Sequence, residues 1–170
     1  MMVDNGLSRM SLTEISGAIA KRAVSSKEVV QNNLEILEQQ GTSLNCVARL
    51  FPEDALTEAE VADHELASGN SRGPLHGVPL AHKDMFYRKG KITACGSRIC
   101  ENYTPSVTAT ALTKLDSSGA LDIGRLNMVE FAYGLTGHNE ITGNVRNLSL
   151  IHISEPTRPL YISYAVFCLK

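Results

Sequence analysis

Basic excess is missing from this chain. Its 170 residues carry 16 Lys and Arg against 18 Asp and Glu, a formal net charge of -2. That balance argues against a nucleic-acid-binding surface, and no block of like charge suggests a solvating tail. Long apolar runs are missing too, so the sequence predicts no membrane span. The N-terminus, MMVDNGLSRM, has no basic patch followed by an apolar stretch and does not read as a secretory signal. The four cysteines, Cys46, Cys95, Cys100 and Cys168, form no Cys-x-x-Cys pair. Reduced thiols in a cytoplasmic protein are the expectation. No internal repeat occurs. The rest of the composition is ordinary for a soluble protein: 43 % hydrophobic and 20 % charged residues. The length suffices for one domain with its own core and is too short for two large ones.

Two helix starts are marked. Ser11-Leu-Thr-Glu14 and Ser25-Ser-Lys-Glu28 are capping-box patterns. Leu12, Ile15 and Ile19 follow the first at helical spacing; Val30, Leu34 and Leu37 line one face behind the second, which Gly41 is expected to end. Leu44 to Phe51 is a strand candidate. Pro52 fits a helix start, with Ala55, Ala59, Ala62 and Leu66 in helical period. A turn-rich stretch from Ala67 to Pro74 separates this helical part from the remainder of the chain. Val78 to His82 then reads as a strand, Thr108 to Leu115 as a helix closed by Gly119, and Leu121 to Gly124 as a second strand. Strand, helix and strand imply a parallel pair joined by a right-handed crossover. Asn127-Met-Val-Glu130 resembles a further helix start, and Gly134 to Gly143 reads as loop. The expectation is an α/β fold preceded by a helical segment.

The stretch GVPLAHKD (Gly77 to Asp84) is apolar from Val78 to Ala81 and then delivers Lys83 against Asp84. In parallel sheets, ligand sites lie beyond the carboxyl ends of strands, where Lys83 is expected. The competing reading is an ion pair with Asp84 or another carboxylate. A working lysine would need a desolvated amine, neutral for part of the time, to act as a general base. His76, His82 and His138 lack the i, i+4 spacing of a zinc helix, and His82 alternates away from Lys83 on a strand, so no metal is expected. No Gly-x-Ser-x-Gly elbow occurs. Gly134-x-x-Gly137 lacks the Lys-Ser/Thr of a phosphate loop. Cys95 and Cys100 read as packing residues, and Glu130 as the capping carboxylate of its own helix.

From GPLHGVPLAHKDMF (Gly73 to Phe86), through CGS (Cys95 to Ser97) and TATALTKLDSSGALDIGRLNMVEFAYGLTGHN (Thr108 to Asn139), to GNVRN (Gly143 to Asn147), the chain resembles the amidase signature family. The resemblance covers roughly residues 8 to 147. It implies the N-terminal part of an α/β/α fold, a mixed sheet between helices, truncated here. It divides the chain into a mainly helical segment over 1–70, the start of the α/β core over 71–147, and a tail over 148–170. It implies hydrolysis of carbon–nitrogen amide bonds through a Ser–cis-Ser–Lys triad. Lys83 would be the base that takes a proton, through a bridging serine, from a nucleophilic serine. No cofactor is implied. The glycine- and serine-rich segment that would bear both serines has no counterpart after Asn147, so this chain is expected to be an inactive fragment.

Hydrolases of small amides and the A subunit of glutamyl- or aspartyl-tRNA amidotransferase both fit the resemblance. The partner is expected to be a small-molecule amide, with nucleic acid involved only through a tRNA amidotransferase complex. A non-catalytic α/β binding module is the alternative of another class. The segment from Leu148 on, LSLIHISEPTRPLYISYAVFCLK, resembles a translated sequencing adapter and is expected to be non-native and to carry no selected function.

Overall fold

The computed structural model describes residues 6–134 and 136–146. The segment 148–170, with the adapter-like reading attached to it, lies outside these residues. After a 3-10 turn at Leu7–Arg9 come α1 (Leu12–Ala20), α2 (Ser26–Leu44), β1 (Val47–Leu50), α3 (Pro52–Ala67), β2 (Pro79–Lys83), α4 (Thr110–Ser117) and β3 (Leu121–Leu126). A 3-10 turn at Glu130–Ala132 closes the order.

Both capping boxes form. Ser11 Oγ accepts from Glu14 N–H while Glu14 accepts from Ser11 N–H, and Ser25 and Glu28 repeat the exchange. A second carboxylate supports the start of α2. Asp63 of α3 accepts from the backbone N–H groups of Ser26 and Lys27, at 2.6 and 3.0 Å. It satisfies two donors that a helix start leaves free, and its charge suits the positive end of the dipole. This contact spans 36 or 37 residues in sequence, so helical spacing alone could not announce it.

Gly41 does not end α2. The helix runs on to Leu44 and stops at Asn45, whose φ of 49° is left-handed. Gly41 instead sits buried in the last turns because Val47 crosses there: a Cβ on residue 41 would lie 2.6 Å from Val47 Cγ2. The expected strand over Leu44 to Phe51 accordingly shrinks to four residues. The helix expected to start at Asn127 also fails to form. Only the short turn at Glu130–Ala132 follows, with Val129 as its unassisted cap, and Glu130 caps no helix among the described residues. The Asn127 side chain is engaged elsewhere: its Nδ2 donates to the O of Asn45, the residue that ends α2, at 3.0 Å.

The three strands form one mixed sheet in the order β1-β3-β2, with β1 antiparallel and β2 parallel to β3. The predicted strand–helix–strand crossover is therefore present. On one face, Val30 and Leu34 of α2 and Ala55 and Ala59 of α3 pack against Leu121 and Ile123 of β3. The small alanines let α3 approach closely, and burying each large aliphatic side chain stabilises the fold by about 1.5–3 kcal/mol. A second cluster joins Ile19 and Val29 to Val78, just before β2.

The β2–β3 register slips by one residue. Leu80 faces Asp122, but Ala81 faces Gly124, so Ile123 is the extra residue. An inserted residue reverses the alternation beyond it. Asp122 and Arg125, three apart, thereby share a face. Gly124 lies where β1 crosses closest: a Cβ there would sit 2.5 Å from Arg49 O.

Candidate active site

Lys83 is the last residue of β2, level with Leu126 of β3, and is half-buried. The backbone around it is clamped. Lys83 O accepts from Met85 N–H and Phe86 N–H, Asp84 N–H donates to Leu126 O, and Cys95 N–H donates to Asp84 O. Among the described residues the Lys83 ammonium has no ion pair or hydrogen bond. The expected alternative, a pair with Asp84, does not form. Asp84 points into the structure, 3 % exposed, where its Oδ2 accepts from Ala94 N–H at 3.2 Å and stands 3.7 Å from Arg49 Nη1. Its Oδ1 has no hydrogen-bond partner. Burial pushes its carboxyl above the usual carboxylate range, with Arg49 opposing the shift.

Strand alternation puts His82 on the opposite face from Lys83. There it enters a buried charge network. Arg125 is 0 % exposed and gives both terminal nitrogens to Asp122, at 2.7 and 3.0 Å, with a further bond to Gly124 O. Arg88 does the same to Asp116 of α4, at 2.9 Å for each contact, and its Nε lies 2.9 Å from Asp122 Oδ2. His82 Nε2 is 3.3 Å from Arg88 Nη2 and 3.5 Å from Asp122 Oδ1. Burial holds the imidazole below its ordinary value; Asp122 opposes this, and Arg125 and Arg88 reinforce it.

Two clefts flank the strand end. A polar one of about 360 Å³ is lined by Asn45, Arg49, Asp84, Ser97, Asn127 and Thr142, among others. An apolar one of about 410 Å³ is lined by Met85, Phe86, Tyr87, Cys95, Val107, Ala109 and Phe131. Lys83 lines neither. Cys95 and Phe131 both take left-handed backbone, φ 54° and 49°, and Phe131 N–H donates to Cys95 O. Left-handed backbone at non-glycine residues stores strain, and here it gathers along one cleft. Asn139 braces the loops from beneath: its Nδ2 donates to Gly96 O and Met128 O while its Oδ1 accepts from Ile141 and Thr142 N–H.

The other sequence candidates scatter. His76 is a core histidine with both ring nitrogens in use: Nδ1 accepts from Arg72 N–H, and Nε2 donates to Ala62 O at 2.9 Å. His138 is exposed. Cys95 and Cys100 are free thiols, and burial pushes the Cys95 thiol up. Arg88, Asp122 and Arg125 are not candidates on sequence grounds, because charged residues spaced along a chain give no sign that one bulge will gather them.

The amidase family profile matches residues 28–148. The A subunit of glutamyl-tRNA(Gln) amidotransferase from Bdellovibrio bacteriovorus is 42 % identical over 137 residues, covering 81 % of this chain and 28 % of the relative. The same A subunit from Nitrosococcus oceani is 38 % identical over 137 residues, with the same coverage. Among solved structures, a crystal structure of an amidase superposes with a TM-score of 0.75 at 36 % identity, over 81 % of this chain and 31 % of its own. Fatty acid amide hydrolase superposes with a TM-score of 0.79 at 28 % identity, over 84 % of this chain and 25 % of its own. The chain thus spans between a quarter and a third of each of these proteins. On that profile match and those identities, the chain belongs to the amidase family.

Proposed function

We propose that this chain is the part of an amide-hydrolysing enzyme that supplies the general base, Lys83. The observation that supports this reading most is the position of the amine. It stands at the carboxyl end of a strand parallel to its neighbour, on a clamped backbone, with no carboxylate holding it among the described residues. Lacking a carboxylate partner, its nitrogen is uncommitted and can face a reacting group. A rigid strand end also fixes where it stands, which a base acting over one hydrogen bond requires.

In the proposed reaction, neutral Lys83 takes a proton, relayed by a bridging serine, from a nucleophilic serine. The serine oxygen attacks the amide carbonyl and the C–N bond breaks as the leaving nitrogen is protonated. Water then cleaves the acyl-enzyme. We assign neither serine to a residue of this chain, so the 170 residues alone are proposed to be inactive. The apolar cleft beside Phe86 suits an apolar part of the substrate. A cytoplasmic setting fits the reduced thiols, and no described helix is long and apolar enough to cross a membrane.

A second reading is an A subunit of a glutamine-dependent tRNA amidotransferase. The names of the two curated relatives favour it. In that case partner subunits would bring the tRNA, and co-purification of such subunits with the whole protein separates the readings.

The test expresses the chain continued by the coding sequence that follows the Asn147 codon in genomic DNA, and measures turnover of simple amides. Lys83→Ala is expected to lower turnover by about 10²–10⁴-fold, the usual contribution of a positioned base. Lys83→Arg should fail as well, because guanidinium stays protonated near neutral pH. Turnover close to that of the unmodified enzyme in Lys83→Ala would remove Lys83 from the mechanism.

A further inference from the structure

We propose that His82 and Arg88 form an acid-sensitive latch: neutral His82 fastens the turn after Lys83 to α4 and β3, and protonation of His82 releases it. The proposal stands independently of any catalytic role for Lys83.

Hydrogen-bond direction sets the chemistry. An arginine nitrogen only donates, so the 3.3 Å contact from Arg88 Nη2 requires His82 Nε2 to accept. Only an imidazole with its proton on Nδ1 can do so. Adding a proton at Nε2 turns the contact into donor against donor.

That proton would find Asp122 Oδ1 at 3.5 Å, an oxygen that already accepts from Arg125 Nη1 at 2.7 Å. From β3, Asp122 and Arg125 face the ring; from the turn, Arg88; from α4, Asp116. Glu58 of α3 stands outside them at the surface, within reach of Asp122, Arg88 and Asp116. Further along the same face is Asp84 with Arg49. Two arginines and two aspartates already balance at the centre, and Asp122 is shared between both arginines. A protonated His82 would add a third positive charge beside Arg88 and Arg125. His82 is 7 % exposed, so water does little to screen it.

The geometry names what moves. Arg88 is the side chain that ties the turn to Asp116, and it is 16 % exposed, against 0 % for Arg125. Arg125 is locked behind Phe51, 5.0 Å from its ring centre, so Arg88 is the partner free to leave. Without it the turn keeps weaker ties to the crossover: Ala109 N–H to Tyr87 O, Gly90 N–H to Pro105 O, and Lys89 N–H to the side-chain Oγ1 of Thr108.

The test uses the 170-residue chain between about pH 7.5 and 5.0. NMR follows the His82 imidazole, and hydrogen exchange corrected for intrinsic rates follows local opening. A released imidazole regains its ordinary value of 6.5. Protection of residues 84–90 and 110–118 should therefore begin to fall as pH drops through 6.5. The opening constant should rise by about tenfold per pH unit until the folded ring itself titrates, at lower pH. Protection of α1 and α2 should stay unchanged over that range. In His82→Gln, whose amide oxygen accepts from Arg88 at every pH, protection of 84–90 should be flat. A folded His82 that titrates at or above 6.5, or an equal loss of protection in His82→Gln, overturns the proposal. If His82→Gln does not fold, the unmodified chain still decides: loss of protection that begins anywhere but at 6.5, or that spreads equally to α1 and α2, overturns it.

Discussion

The two ends of one strand are held by different physics. At its entry, Val78 lies in an aliphatic cluster with Ile19 and Val29, and Leu80 packs against it. Four and six residues on, His82 and Asp84 are also buried, yet their neighbours are Arg88, Arg125, Asp122 and Arg49. The apolar end is held by non-directional burial, which tolerates small shifts. The polar end is held by bonds of fixed length and direction, and its members lose far more when one partner is removed. A site that must keep an amine in place is better served by the second kind of packing.

Removing a member from each end should sharpen that contrast. Arg125→Met at the polar end leaves a buried Asp122 with Arg88 alone, and is expected to cost about 3–5 kcal/mol in denaturant unfolding. Ile19→Ala at the apolar end leaves a cavity and should cost about 2–5 kcal/mol. The distinguishing readout is pH. The cost of Ile19→Ala should be the same at about pH 7.5 and 5.5, whereas that of Arg125→Met should change, since it alters the charge around His82. Equal pH-independence of both would erase the comparison.

A smaller effect concerns acid. The folded His82 resists protonation more than the unfolded one, so the unfolded state binds more protons below 6.5. Stability present above that value should be lost as pH falls toward the folded value, by at most about 1.4 kcal/mol per pH unit. His82→Gln should remove this slope near about pH 6. Asp84 acts with the opposite sign at lower pH: its carboxyl is held above the ordinary 3.8, so the fold gains relative stability as that group protonates. An Asp84→Asn variant should therefore change the slope only in the more acid region.

The smallest expected effect lies far from the strand. Ser11→Ala removes the side-chain half of the first capping box and should cost about 1 kcal/mol, with little change in exchange protection at residues 84–90. A large loss of protection there would mean that the two regions are coupled more tightly than their separate clusters indicate.

The sequence by itself determined the helix starts, the parallel strand pair and the place of Lys83. Each rests on short-range physics: a serine three residues before a glutamate closes a capping box, apolar spacing selects a helical face, and a strand–helix–strand order forces a crossover. It misjudged Gly41, which reads as a stop but stays inside α2 because Val47 crosses there, and Asn127, which reads as a cap but bonds across to Asn45. Only the tertiary structure decided what surrounds the strand end. Asp84 turned to Arg49 and away from Lys83, and one extra residue at Ile123 brought Arg125 onto the face of Asp122 and His82. Such contacts join residues dozens of positions apart and depend on a one-residue register. No local propensity encodes that register; it is fixed when β1, β2 and β3 pair around Gly124, whose missing side chain leaves room for β1.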